Sequence, residues 1–252
     1  MLALGACAGK PKKAKPSPRP PVVETLPTAP ERPYVRPRAR YVPRSIKSRI
    51  LMLASQEWDY FGKQRVVYED DEESIPHVGY WEDDDYRHSD RVNEYWRAAY
   101  NPQLTGQDCR QPWSAAFISW VMNAAGVPED MFPPAQAHWV YLSEFLARGR
   151  DVDSFFVPRT IQEYSPKPGD LICASREPGI SSYISEPPPA YLLENTKLHC
   201  DIVVEKDGRT LYAIGGNVRN SVSKSALTLT PDGHLQPTRS RPWFLVIENR
   251  LN

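Results

Sequence analysis

Long apolar runs are missing from this chain. No stretch of eighteen or more apolar residues occurs in its 252 residues, so nothing in it is written to cross a bilayer as a helix. Cysteine is scarce: Cys7, Cys109, Cys173 and Cys200, with no CxxC spacing. Setting Cys7 aside leaves an odd number, which is neither a disulfide framework nor a zinc site. One pair can form in an oxidising compartment, and the sequence does not say which. Basic charge is missing from the part that folds. Residues 1–45 hold ten Lys/Arg against two Asp/Glu, a net +8, and the remainder holds 21 against 29, a net −8. A folded part of that sign lacks the basic face that nucleic acid demands. Residues 69–90 carry ten acidic side chains, among them Glu82-Asp83-Asp84-Asp85. They lack the alternating oxygens and turn glycine of a calcium loop, and read as a solvated acidic loop. No metal and no organic cofactor is indicated.

Proline is abundant, with 26 residues, ten of them between Pro11 and Pro43. That segment is basic and has no apolar period, so 8–44 is expected to be a disordered, polyproline-like linker. Residues 45–252 then supply one core, given 40% hydrophobic content overall. The apolar spacing predicts helices over 44–62 (Ile46, Ile50, Leu53, Ala54 and Trp58 on one side), 89–100 with Ser89 as N-cap, 112–125 with Pro112 in its first turn, and 134–149. Strands are expected at 167–175, 199–205, 209–216 and 241–249, with a tight hairpin at Lys206-Asp207-Gly208. Helices first and antiparallel strands after indicate an α+β fold. The long segment 176–198 is expected to be disordered or a cleft wall.

One constellation carries chemistry. Ser114 lies in the first turn of the helix opened by Pro112, beside unpaired backbone N–H groups and the positive end of the helix dipole. A serine there needs a general base, and His199 is the candidate. Asp201 lies two residues on, on the same face of the strand, where it can orient the imidazole. Asn217, after Gly215-Gly216, can project toward the same edge. Cys200 points the other way, as a core thiol, and Cys109 fits poorly as a displaced nucleophile. Trp113 is a core residue or, if exposed, a ring for stacking on a sugar; His138 packs on its helix or lines the cleft. The bland alternatives are a Ser114 bonded to its own backbone, a satisfied core histidine and a turn asparagine.

These residues resemble known families. Trp113-Ser114-Ala115-Ala116-Phe117 with Trp120, then Pro168-Gly169-Asp170, His199 and Gly215-Gly216-Asn217 are similar to the motifs of CHAP-type amidases and their cell-wall peptidase relatives, over roughly 105–220. That resemblance implies a papain-like fold, N-terminal helices packed on a small antiparallel sheet, and amide hydrolysis of peptidoglycan by a Cys-His pair with a polar third residue. Ser114 stands at the cysteine position, Asp201 replaces a glycine, and Gly215 replaces an acid. The expectation is that the carboxylate has moved onto the histidine's own strand, where a Ser-His pair can use it. WSAAFISWVM, HCDIVV and GGNV resemble still more closely a bacterial family of unknown function found in exported proteins and lipoproteins, over most of 46–250. Leu4-Gly5-Ala6-Cys7 resembles a lipobox; residues 1–7 are then the remnant of a signal peptide whose true start lies upstream, Cys7 the lipidated residue, and the linker a tether of about 115 Å at about 3.1 Å per residue. The implied location is the periplasm or envelope, lipid-anchored at the outer membrane. The expected function is hydrolysis of peptidoglycan or a related envelope peptide with substrate contacts from Trp113 and His138. The alternative is an inactive envelope- or peptidoglycan-binding module of the same fold.

Overall fold

A computed structural model describes residues 45–252 apart from Asp70, Cys109 and Arg176. The expectations for 1–7, 8–44 and Cys109 lie outside the described residues. Among the described residues the fold is a mixed α+β one, with five α-helices and one eight-stranded sheet.

Helix α1 (Ile46–Tyr60) starts where Ser45 Oγ accepts from the Ser48 N–H at 3.1 Å. Its buried stripe is Ile50 and Ala54, and also Glu57. That buried carboxylate is tolerated because it accepts from Tyr95 Oη and pairs with Arg91 at 3.1 Å. Helix α2 (Tyr86–Ala98) begins three residues earlier than expected. Its N-cap is Asp85, which accepts from Arg87 N–H and His88 N–H, so Ser89 sits inside the helix. The acidic run therefore contains a helix start. It also contains strand β2 (Glu72–His77), which the charge density hides, and strand β1 (Gln64–Glu69) ends where the run begins. Helix α3 (Ser114–Ala125) opens on Ser114 itself, with Trp113 as cap and Pro112 outside, and stops at Gly126. Helix α4 (His138–Arg148) opens on His138.

The sheet adds β3 (Phe156–Thr160), β4 (Leu171–Ser175), β5 (Leu198–Asp207), β6 (Thr210–Val218), β7 (Ser221–Thr228) and β8 (Trp243–Asn249), in the order β2-β1-β7-β6-β5-β4-β8-β3. It is larger than expected, and β1 and β7 run parallel within an otherwise antiparallel sheet. Helix α3 packs across β5 and β6 and carries the larger core on its side of the sheet. A second cluster, with Val66, Ile172, Val203, Leu211 and Trp243, fills the opposite face. The segment 176–198 holds a short helix α5 (Pro178–Ser181) and a 3₁₀ turn (Ala190–Leu193), and its flanks face a cleft.

Cys200 is not a free thiol. In the β4–β5 register it lies directly opposite Cys173, their Cα atoms 4.2 Å apart, and the two form a disulfide. The bridge thus staples β4 to β5 at the residue between His199 and Asp201. The bridge closes a 27-residue separation, for which chain-entropy reasoning gives about 3 to 4 kcal/mol of stability. Replacing both cysteines by alanine should lower the urea-unfolding free energy by about that amount. An unchanged unfolding midpoint would show that the bridge does not constrain the unfolded chain.

Candidate functional site

Two helices begin at one cleft. Ser114 and His138 are the first residues of α3 and α4, and both line a cavity of about 730 Å³ together with His199, Asn217, Arg219 and Arg241. The first-turn N–H groups of each helix have no intrahelical partner, so two positive helix ends meet there.

The side chain that touches Ser114 is His138. Ser114 Oγ and His138 Nε2 are 2.7 Å apart, and His138 Nδ1 is hydrogen-bonded to the Tyr141 hydroxyl one turn along the same helix. Ser114 is 5% exposed and His138 3%. Burial, with the charge of His199 adding to it, holds the His138 imidazole well below its ordinary pKa, so it is neutral at neutral pH. Tyr141, raised well above its ordinary value by burial and then by the charge of Asp201, remains a phenol.

His199 is placed differently from the sequence expectation. Its Nε2–H donates to Asp201 Oδ1 at 2.7 Å, which is the pairing two residues apart along β5. The hydrogen bond with Ser114 that was expected of His199 is made by His138. The His199 ring stands edge to face against His138, centroids 5.8 Å apart. Asp201 lies behind it, 1% exposed, with Oδ2 lacking a hydrogen-bond partner. Asn217 lies on the cleft wall with φ 56° and bonds neither histidine. The site is therefore two linked pairs, Ser114–His138 and His199–Asp201.

The glycines before Asn217 have a packing role. A Cβ on Gly215 would lie 1.6 Å from Asp201 Oδ1, and one on Gly216 would lie 2.4 Å from Phe117 Cβ and 2.8 Å from the Trp113 ring. Gly215 makes room for the carboxylate, and Gly216 lets the start of α3 lie on β6.

Trp113 cannot stack on a sugar. It is 1% exposed, packed against Phe61 and Tyr95, with its indole N–H donating to the Glu82 carboxylate. His138 likewise has both ring nitrogens engaged inside the protein, so neither is free for the substrate contact expected of it. Tyr141 was missed, and the signal available for it was its position three residues after a histidine on one helix face. Asp170 of Pro168-Gly169-Asp170 is structural: its oxygens accept from Lys167 N–H and Asn249 N–H, tying the turn to β8.

Glu82 is the one member of the acidic run that is buried against the site. Burial, with the charge of Asp83 adding and the Trp113 bond opposing, pushes its pKa up to about 7 from 4.5. The native state then holds this proton more tightly than the unfolded chain does. Stability from this group is fully present below about pH 4.5 and is lost as pH rises through about 7. Glu82→Gln should flatten that part of the stability profile, read as urea midpoints at pH 5 and pH 7.5. An unaltered slope would remove Glu82 from the account.

No curated protein matches the chain, and no solved structure matches it. A family model does, that of uncharacterized proteins conserved in bacteria, DUF2272, from residue 73 to residue 248. The match runs from β2 into β8 and takes in Ser114, His138, His199, Asp201 and Asn217. Since it spans well over half of the sequence, the chain belongs to the bacterial family DUF2272.

Proposed function

We propose that this protein is a cell-envelope amide hydrolase acting on peptidoglycan or related peptides, with Ser114 as nucleophile and His138 as its base. The observation that carries the proposal is the 2.7 Å contact of Ser114 Oγ with His138 Nε2 at the wall of an open cleft. The CHAP-like order of the motifs and a papain-like reading of the fold support the reaction class. Export to the periplasm and a lipid anchor at Cys7 belong to the same proposal, and the Cys173–Cys200 bridge supports it, since disulfides persist in oxidising compartments.

The chemistry follows from the two pairs. With the His138 proton on Nδ1 and given to the Tyr141 oxygen, Nε2 accepts from Ser114. As Oγ attacks the amide carbon, its proton passes to Nε2 and the carbonyl π pair becomes an oxyanion beside the first N–H groups of α3. The imidazolium gives its proton to the leaving amine as the C–N bond breaks. Water, deprotonated by the same imidazole, then hydrolyses the serine ester and restores Ser114. A buried imidazole is a weak base, so the imidazolium needs a countercharge, and the Asp201 carboxylate behind His199 supplies it. His199 and Asp201 are positioning residues here.

The burial of Ser114 favours a second reading: an inactive module that keeps the cleft and binds envelope peptide without cleaving it. Digestion of purified peptidoglycan by the native chain, Ser114→Ala and Ser114→Cys, with products read by mass spectrometry, separates the two. Hydrolysis predicts soluble fragments from the native chain and none from the alanine variant. Silence from all three proteins would leave the binding module.

A further inference from the structure

We propose that Arg241 is the cleft's carboxylate-binding residue, so that the ligand it takes is a peptide bearing a free carboxylate. This rests on the cleft being the substrate site of the proposed hydrolase, and it names the substrate class. Arg241 lies just before β8 and lines the same cavity as Ser114. Its guanidinium is half-buried and aimed by its own neighbours. Nε donates to Tyr68 Oη at 2.9 Å, and the group lies over the Tyr68 ring, 5.6 Å from its centroid. Its backbone is fixed at the turn by the Thr238 hydroxyl, which accepts from Arg241 N–H at 3.0 Å.

That leaves the terminal guanidinium nitrogens unspent. Among the described residues no carboxylate pairs with Arg241, although the charges of Asp201 and Glu73 act on it from nearby. Neither forms an ion pair with it: Asp201 Oδ1 accepts from His199, and Glu73 pairs with Arg219 at 2.5 Å. The contrast between the two cleft arginines is informative, since Arg219 is neutralised and Arg241 is not. A guanidinium held by Nε and a ring face, on a residue that lines the cavity, matches the two oxygens of a carboxylate. The converging N-termini of α3 and α4 add positive potential on the same wall. Lys197 lines the same cavity, as do two acids, Glu73 bound to Arg219 and Glu177 bound to the Lys197 N–H. A neutral or cationic ligand would leave the Arg241 guanidinium without a countercharge.

Binding tests the proposal without requiring turnover. The full chain carrying Ser114→Ala would be titrated calorimetrically with a stem tetrapeptide ending in D-alanine, once with its free terminal carboxylate and once as the carboxamide. The carboxylate form should bind about 10- to 100-fold more tightly, the range of a charge-assisted pair. In the Arg241→Gln background that ratio should fall to about one, and Arg241→Lys should keep part of it. Because the ratio is taken within each protein, a general loss of folded material cancels. Equal binding of the two peptides by the Ser114→Ala chain, binding of neither, or a preference that survives Arg241→Gln would overturn the proposal. A chain that shows the preference while the native protein cleaves nothing would defeat the hydrolase reading and leave the carboxylate site in place.

Discussion

Replacing Ser114 by alanine should reduce release of peptide from peptidoglycan by about a thousandfold or more, the scale on which activated serine nucleophiles fail when removed. His138→Asn should cost nearly as much, because it takes away the only side chain hydrogen-bonded to Ser114 Oγ. The double variant should then be no worse than either single one, since the two residues act as a unit. His199→Asn and Asp201→Asn act one step removed and should cost less, about tenfold each, with a greater effect on kcat than on KM. Ser114→Cys is the informative exchange. A thiol at the first residue of α3 would meet the helix N-terminus that lowers thiolate pKa values, and it should retain turnover that depends less on Asp201. Initial rates on one soluble fragment would check all of these. Were His199→Asn as damaging as Ser114→Ala while His138→Asn was mild, the base would have been assigned to the wrong histidine.

The second large effect is expected at the paired glycines. Gly215→Ala places a methyl carbon 1.6 Å from Asp201 Oδ1, the atom that accepts from His199. The carboxylate must leave, and its hydrogen bond to His199 goes with it. Gly216→Ala drives a methyl into Phe117 Cβ and the Trp113 ring, where α3 meets β6. Overpacking at a rigid interface costs about 1 to 3 kcal/mol; here one methyl displaces a buried carboxylate and the other meets the Phe117 Cβ and a buried ring. We expect losses of about 3 kcal/mol in unfolding free energy for each. Only Gly215→Ala should be rescued in part by shortening the acid, as Asp201→Ser, and the double-mutant cycle gives that coupling a sign. Additive losses would mean that Asp201 does not occupy the space over Gly215.

Much of this arrangement could be read in advance, for identifiable reasons. Ser114 is found because proline, a small hydroxyl residue and glycine punctuate an apolar helix, a local signal. The pairing of His199 with Asp201 follows from strand periodicity alone. His138 is different: its contact with Ser114 spans 24 residues, and nothing local distinguishes a helix-opening histidine in a cleft from one packed on its helix. The acidic stretch masks β2, and β1 just ahead of it shows only the short alternation of buried Val66 and Tyr68. Strand β7 was equally hard to see. Its inward positions include Ser221, Ser223 and Ser225, all buried, so they carry no apolar pattern. Register, which sets Cys173 opposite Cys200, is a property of two strands together and is absent from either one.

The central claim is that Ser114 is a nucleophile activated by His138. The most direct measurement is the intact mass of the chain after treatment with a small fluorophosphonate, followed by peptide mapping. One adduct on Ser114, lost in His138→Asn and slowed in Asp201→Asn, is the predicted result. An unmodified chain, or an adduct that forms equally well without His138, would contradict it.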